Sequence, residues 1–228
     1  MLLQAALNGP YTKADHPAMP ITAAELAADA RACVEAGARA IHMHPRDADG
    51  RESLAAEVID AAVREVRAAC GVPVGVSTGA WIEPDLERRI ALIAGWTGPD
   101  YASVNISEPG WQDVFRALRE RGIGVEAGVW SVEDARALTA SAHDHDLVRV
   151  LIEPVDVDPG TAVALVAAIR AEVDAPILQH GDGAATWVLI EDAASNGLDT
   201  RVGLEDTQEA PNAQLVERAM SLIRDKGL

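Results

Sequence analysis

The stretch RAIHMHPRDADGRESLAAEVIDAAVREVRAACGVPVGVST, residues 39–78, holds two short apolar runs separated by a long alanine-rich segment. The runs at 39–44 and 72–78 have the length of buried strands, and the segment at 53–70 has the 3.6-residue period of a helix. A strand, a helix and a second strand in this order predict a βαβ unit with parallel strands.

The same alternation continues along the rest of the chain. Further strands are predicted at 2–8, 100–107, 123–129, 147–154, 175–181 and 199–206, and further helices at 22–37, 84–95, 111–121, 131–142, 159–173, 184–196 and 211–225. Eight strand–helix pairs predict an α/β fold, a (β/α)₈ TIM barrel that forms one domain over residues 1–228. The alternative is a doubly wound open sheet, which usually has a glycine-rich phosphate turn after its first strand, and LNGPYTK (7–13) is not such a turn.

The composition is that of a globular protein with excess negative charge. The chain has 36 acidic and 19 basic residues, a formal net charge of −17. Such a surface repels a phosphate backbone, so we expect no nucleic-acid partner. No apolar run approaches the roughly 18 residues of a membrane span, and the start MLLQAALNGP lacks the basic segment of a signal peptide. We therefore expect a cytoplasmic protein with no membrane partner.

Polar residues cluster where the predicted strands end, which is the face that carries the active site of a TIM barrel. They are Asn8, His42, His44, Ser77, Thr78, Ser103, Asn105, Glu205 and Asp206, with Glu126 on the fifth strand and His180 after the seventh. His16 lies in a proline-flanked loop, and His143 and His145 fall on the opposite, helix-to-strand side. The distribution predicts a reactive site at one end of the barrel.

The two histidines of the IHMH segment are the strongest metal signal. Residues i and i+2 of a strand point to one face, so His42 and His44 project together. Glu205 ends the eighth strand, one strand removed from the second in a closed barrel, and is the best third ligand. Three protein ligands and an open position are typical of catalytic zinc. His-x-His alone also fits two hydrogen-bonded rim histidines that bind no metal.

Three segments resemble the β-keto acid cleavage enzyme family, whose founding activity is 3-keto-5-aminohexanoate cleavage. They are the start from Asn8 to Glu25, HMHPRDADGRESL (42–54) and RVGLEDT (201–207), supported by VSTGAW (76–81), SVNIS (103–107) and VEAGV (125–129). The resemblance implies a zinc-dependent (β/α)₈ barrel, in the form of a homotetramer, that converts a β-keto acid and acetyl-CoA into acetoacetate and a new acyl-CoA.

The resemblance also implies a role for individual residues. His42, His44 and Glu205 match the family's Zn²⁺ ligands, and Asp206 matches its base. Arg201 and Glu126 match the groups that orient that base. The substrate-binding positions are matched by Ser77, Thr78, Ser103 and Asn105, which would hold the substrate carboxylate, and by Tyr11 in the loop after strand 1.

The loop after strand 1 departs from the founding enzyme. That enzyme has a glutamate there that binds the substrate's amino group, whereas this chain has Pro10 and Tyr11. A neutral or differently polar β-keto acid is therefore expected. Two other functions stay open: a metal-dependent carbon–carbon lyase that needs no CoA, similar to an aldolase, and a metal-binding barrel without catalytic activity.

Overall fold

The computed structural model describes residues 1–141 and 147–227. Eight parallel strands of the described part close into a barrel in the order β1 to β8, which confirms the predicted TIM barrel. The strands are β1 (Leu3–Ala6), β2 (Ala40–Met43), β3 (Val74–Ser77), β4 (Tyr101–Asn105), β5 (Gly124–Val129), β6 (Arg149–Ile152), β7 (Ile177–Gln179) and β8 (Asp199–Val202). Closure comes from β1, which pairs with β2 on one side and with β8 on the other.

A helix follows each strand and covers the outside of the barrel. The helices are α1 (Ala23–Ala36), α2 (Ala56–Cys70), α3 (Leu86–Ile93), α4 (Trp111–Glu120), α5 (Val132–Thr139), α6 (Pro159–Arg170), α7 (Thr186–Ser195) and α8 (Asn212–Asp225). His143 and His145, and the last residue of the predicted helix 131–142, lie outside the described residues. In the described part, no helix is both long enough and apolar enough to cross a membrane.

Several helices begin and end at residues suited to capping. Thr22 and Glu25 form a capping box in which each side chain accepts a hydrogen bond from the other's backbone N–H, and Gly37 ends α1 with a positive φ of 128°. Ser131 caps α5 in the same way, and Pro159 begins α6. These caps fix where each loop between a strand and its helix ends.

The strands are shorter than predicted because their polar ends turn into loops. Strand β8 ends at Val202, since the backbone N–H groups of Asp206 and Thr207 both donate to the carbonyl of Gly203. Glu205 and Asp206 therefore lie in a tight turn above β8 and not on the strand itself. The turn brings both carboxylates over the mouth of the barrel.

Candidate active site

Two histidines and a glutamate converge at the mouth of the barrel, and we call them the metal trio: His42, His44 and Glu205. The two Nε2 atoms are 3.2 Å apart, and the carboxylate oxygens of Glu205 lie 3.6 Å from His42 Nε2 and 3.4 Å from His44 Nε2. Ligands on a tetrahedral zinc with bonds of about 2.1 Å are separated by roughly 3.4 Å. The donor set and its spacing thus fit a divalent ion.

Neighbouring residues hold the metal trio in place. His44 Nδ1 lies 2.5 Å from the carboxylate of Glu52, and a carboxylate behind a histidine leaves Nε2 free to bind a metal. The backbone N–H of His44 donates to the side chain of Asn8, whose amide nitrogen donates back to the His44 carbonyl. Gly9 has a φ of +53°, and a Cβ there would lie 2.6 Å from Glu205 Cγ, so only glycine fits against this ligand.

Burial and charge act on the trio in opposite directions. Burial lowers the pKa of His42 to about 3, against the attraction of Glu205. Burial also lowers the pKa of His44, but Glu205 and Glu52 together raise it to about 9. Burial raises the pKa of Glu205, but Arg201 and the two histidines hold it well below its usual range. These opposite shifts of the pKa favour a neutral His42 beside a positively charged His44 when no metal is bound.

Arg201 and Asp206 form a buried ion pair beside the metal trio. Asp206 Oδ1 accepts hydrogen bonds from Arg201 Nε at 3.0 Å and Nη2 at 2.7 Å, and both residues are almost fully buried. Arg201 Nη2 also donates to Glu205 at 2.8 Å. One guanidinium therefore connects the predicted base with a predicted metal ligand.

Glu126 contacts Arg149 and Gln4, and not the base Asp206 that the family resemblance implies it orients. It is fully buried near the amino end of the barrel, where Arg149 Nε lies 2.5 Å and Gln4 Nε2 3.0 Å from its Oε1. The carboxylate that approaches Arg201 Nη2, at 3.6 Å, is instead that of Glu153, the residue directly after β6. The sequence could have indicated Glu153, because it is a carboxylate at the carboxyl end of a barrel strand.

The predicted substrate-binding residues divide into two groups. Ser77, Ser103, Asn105 and Tyr11 line the mouth cavity, which has a volume of about 290 Å³. Thr78 is buried instead, and its hydroxyl donates to the carbonyl of Ser103. Thr78 thus ties β3 to β4 behind the cavity.

The Asn105 side chain is held by a second buried ion pair. Its Nδ2 donates to Glu108 Oε1 at 3.0 Å, and the other oxygen of Glu108 accepts from Arg89 at 2.6 Å. The amide is therefore fixed before any ligand arrives, which reduces the entropy lost on binding.

Sequence reasoning missed several residues of the cavity wall. They are Trp81, Trp130, Glu153 and Asp182, together with the apolar Leu151 and Val155. Trp81 stacks on His44 with a centroid distance of 6.2 Å and donates to Glu52, yet it is 51% exposed. Asp182 stands beside Tyr11, and burial together with the charge of Asp182 raises the pKa of the phenol. Trp81 and Asp182 sit in loops, where no period marks a residue as facing the cavity.

Comparison with known proteins places the chain in a family. A sequence profile of the beta-keto acid cleavage enzyme matches residues 1–228. The chain belongs to the beta-keto acid cleavage enzyme family. Two curated relatives are 3-keto-5-aminohexanoate cleavage enzymes. The one from Fusobacterium nucleatum subsp. nucleatum is 35% identical over 91 residues, 39% of this chain and 34% of that protein. The one from Acetoanaerobium sticklandii is 23% identical over 100% of this chain and 93% of that protein.

The barrel of this chain is similar to that of a solved structure. The ternary complex of ObcA with a C4-CoA adduct and oxalate has a TM-score of 0.71 and 18% identity. The alignment covers 92% of this chain and 65% of ObcA, so the chain spans just under two thirds of that protein and about a third of the Fusobacterium enzyme. At this identity the likeness to ObcA shows the fold.

Proposed function

We propose that this protein is a zinc-dependent β-keto acid cleavage enzyme that forms acetoacetate and a new acyl-CoA from a β-keto acid and acetyl-CoA. The observation that carries the proposal is that the metal trio and Arg201 line one cavity, with Asp206 buried and hydrogen-bonded to Arg201. Membership of the family and the CoA adduct bound by ObcA support the same reaction class.

The metal trio would hold the zinc ion. The nitrogen and carboxylate donors suit zinc, and Glu205 Oε2 is buried with no hydrogen-bond partner among the described residues, as expected for a ligand atom. Iron or manganese would also accept these donors. A bound ion would supply Lewis acidity at the ketone oxygen, which acidifies the neighbouring carbon.

Asp206 is the proposed base. The carboxylate oxygen that Arg201 holds is Oδ1, and Oδ2 has only a long 3.4 Å contact with Arg201 Nε. Oδ2 has the fewer contacts, and we assign it to take a proton from the α-carbon of the substrate, the carbon between the ketone and the carboxylate. A base must lie within hydrogen-bond reach of that proton, and a fixed Oδ1 keeps Oδ2 in one place. The resulting enolate would attack the thioester carbonyl of acetyl-CoA and displace the CoA thiolate. The thiolate would then add to the original ketone carbon, and cleavage of the bond between that carbon and the α-carbon, with return of the proton to the α-carbon, would release the new acyl-CoA and acetoacetate.

The substrate carboxylate would lie on Ser77, Ser103 and Asn105. These groups come from the adjacent strands β3 and β4, with Ser77 and Ser103 paired in the register. Tyr11 and Asp182 line the same cavity. The loop after β1 predicts a substrate with a neutral or differently polar side group. Because Asp182 is a carboxylate in the cavity wall, substrates with a cationic side group are tested as well.

The test is a coupled mass-spectrometric assay. Purified protein is mixed with acetyl-CoA and a panel of β-keto acids that carry alkyl, hydroxyl, ammonium or second carboxylate groups. We expect acetoacetate and a new acyl-CoA from at least one of them, with product absent in His42→Ala and retained in His16→Ala, a histidine variant outside the cavity. Cleavage without acetyl-CoA would favour the CoA-independent lyase. If metal-loaded protein forms no product from any β-keto acid of the panel, the proposed enzymatic activity is rejected.

Other predictions concern the protein as a whole. A single domain over residues 1–228, a homotetramer and a cytoplasmic location stay predictions from the sequence. Size-exclusion chromatography with light scattering would measure the oligomer directly.

A further inference from the structure

His180 and Glu153 stand behind the Arg201–Asp206 pair and complete a ring of four charged or polar side chains. His180 follows β7 directly and is fully buried. Its Nδ1 lies 3.4 Å from Asp206 Oδ1, and its Nε2 lies 3.7 Å from Glu153 Oε1. Glu153 Oε1 closes the ring at 3.6 Å from Arg201 Nη2. Three strands, β6, β7 and β8, thus deliver their carboxyl ends to one point.

The contacts on Asp206 are unequal. Oδ1 faces three nitrogens, Arg201 Nε, Arg201 Nη2 and His180 Nδ1, at 3.0, 2.7 and 3.4 Å. Oδ2 has only the 3.4 Å contact with Arg201. The ring therefore concentrates its contacts on Oδ1 and leaves Oδ2 with the single longer one. His180 is thus a second residue, beside Arg201, that holds Oδ1 and opposes rotation of the carboxylate about its Cβ–Cγ bond.

The backbone around His180 is fastened to the same aspartate. Gly183 N–H donates to the Asp206 carbonyl at 2.8 Å, and the Thr186 hydroxyl donates to it at 3.1 Å. His180 Nδ1 also lies 3.3 Å from the carbonyl of Gly181. These hydrogen bonds tie the loop after β7 to the turn after β8, the two segments that carry His180 and Asp206.

Glu153 faces the other side of the imidazole. His180 Nε2 is buried and has no hydrogen-bond partner in the described part of the chain, and Glu153 is the carboxylate nearest to it. Burial lowers the pKa of His180, but Glu153 and Asp206 raise it above its ordinary value overall. The ring nitrogens are thereby oriented with Nδ1 toward Asp206.

We propose that His180 is a positioning residue for the base Asp206, with Glu153 holding the imidazole in place. The inference rests on the proposed function and adds two residues to it. If the inference holds, loss of the Nδ1 contact slows proton abstraction. Substrate binding stays intact, because His180 is fully buried and does not line the cavity. Misplacement of a catalytic group by about 1 Å costs on the order of 100-fold in rate.

The test compares two variants that keep different halves of the imidazole. In His180→Asn the side-chain nitrogen can occupy the place of Nδ1, and in His180→Gln it reaches the place of Nε2. Exchange of the α-proton of a β-keto acid into D₂O is followed by NMR without acetyl-CoA, with the background rate subtracted. The exchange rate measures proton abstraction separately from the later steps with acetyl-CoA. Metal content and Tm are measured on each variant.

We expect His180→Gln and Glu153→Gln to lower both the exchange rate and kcat by roughly 10- to 100-fold, with KM changed less than threefold and metal content unchanged. His180→Asn should recover to within about fivefold of the wild type, and His16→Gln serves as the control. An exchange rate in His180→Gln equal to that of the wild type, or equal losses in both His180 variants, would overturn the inference. No exchange by the wild type would instead reject the proposed function and this inference with it.

Discussion

Two buried arginine–carboxylate clusters lie at opposite ends of this barrel, and they differ in charge balance and in access. We call Gln4, Tyr101, Glu126 and Arg149 the lower cluster. There, Arg149 pairs with the buried Glu126, and the Tyr101 hydroxyl donates to the Ile41 carbonyl. None of its members lines the mouth cavity.

At the mouth of the barrel, carboxylates outnumber arginines. Arg201 alone lies within 4 Å of three carboxylates, those of Glu153, Glu205 and Asp206. Excess buried negative charge is costly unless a further cation compensates it. The same residue types thus produce a closed structural pair at one end and, at the other, a carboxylate-rich site beside three residues that could hold a metal ion. Position along the strand, and not residue type, separates the two.

The largest expected effect is at the metal trio. His44→Ala removes a ligand and leaves Glu52 and Glu205 without their shared partner. We expect bound metal to be lost and kcat/KM to fall by at least about 1,000-fold, because metal polarisation supplies several kcal/mol. Elemental analysis and the acyl-CoA assay measure the two quantities. Full activity without bound metal would remove the distinction between the clusters.

Asp206→Asn tests the base while keeping the side-chain shape. An amide cannot accept the substrate proton, so kcat should fall by about 100- to 10,000-fold, the range of general base catalysis. Metal content should stay at the wild-type level, which separates this loss from that of His44→Ala. A kcat within threefold of the wild type would show that the Arg201–Asp206 pair is only structural, like the lower cluster.

Glu126→Gln should act on stability and not on chemistry. Breaking a buried ion pair costs roughly 3–5 kcal/mol because Arg149 is left without its partner. We expect a lower urea midpoint and a kcat changed less than fivefold, with the exposed Glu191→Gln as the control. The opposite pattern, unchanged stability with a large loss of kcat, would return Glu126 to the role that the family resemblance implies.

The smallest effect concerns a carboxylate that belongs to neither cluster. Burial raises the pKa of Asp29 from 3.8 to about 6, and its partner is the neutral amide of Asn212, which lowers that pKa only in part. The folded state then binds more protons than the unfolded state between about pH 4 and pH 6, so this residue's contribution to stability decreases as pH rises through that window.

Asp29→Asn removes the charge and can keep the contact with Asn212. We expect the variant to be more stable than the wild type by up to about 3 kcal/mol above pH 7 and equally stable near pH 4. Urea unfolding at the two pH values measures the difference. A constant difference between pH 4 and pH 7.5 would show that the charge of Asp29 has no part in it.

The sequence predicts the fold well because the barrel repeats one local signal eight times. Each apolar run of strand length and each capped helix, such as α1 with Thr22 and Glu25, is readable alone. The metal trio could be predicted because His42 and His44 share one strand face. Glu205 needed only the closure that places β8 beside β1.

The orientation of the base could not be read in the same way. Glu126 lies on β5 and Glu153 directly follows β6, and only the depth of each in the barrel decides which one approaches Arg201. That depth depends on strand register, with Glu126 paired to Arg149 at the start of β6. A one-dimensional pattern does not contain the register between strands.

The most direct test of the central claim is a cobalt(II) titration of metal-free protein followed by visible absorption. We predict saturation at one equivalent per chain, a spectrum of low-symmetry nitrogen and oxygen ligation, and a spectral change when acetoacetate is added. The signal should be absent in His44→Ala and unchanged in Glu126→Gln. Binding that survives His44→Ala, or a spectrum that acetoacetate does not alter, would contradict a metal-dependent keto acid site at the mouth of the barrel.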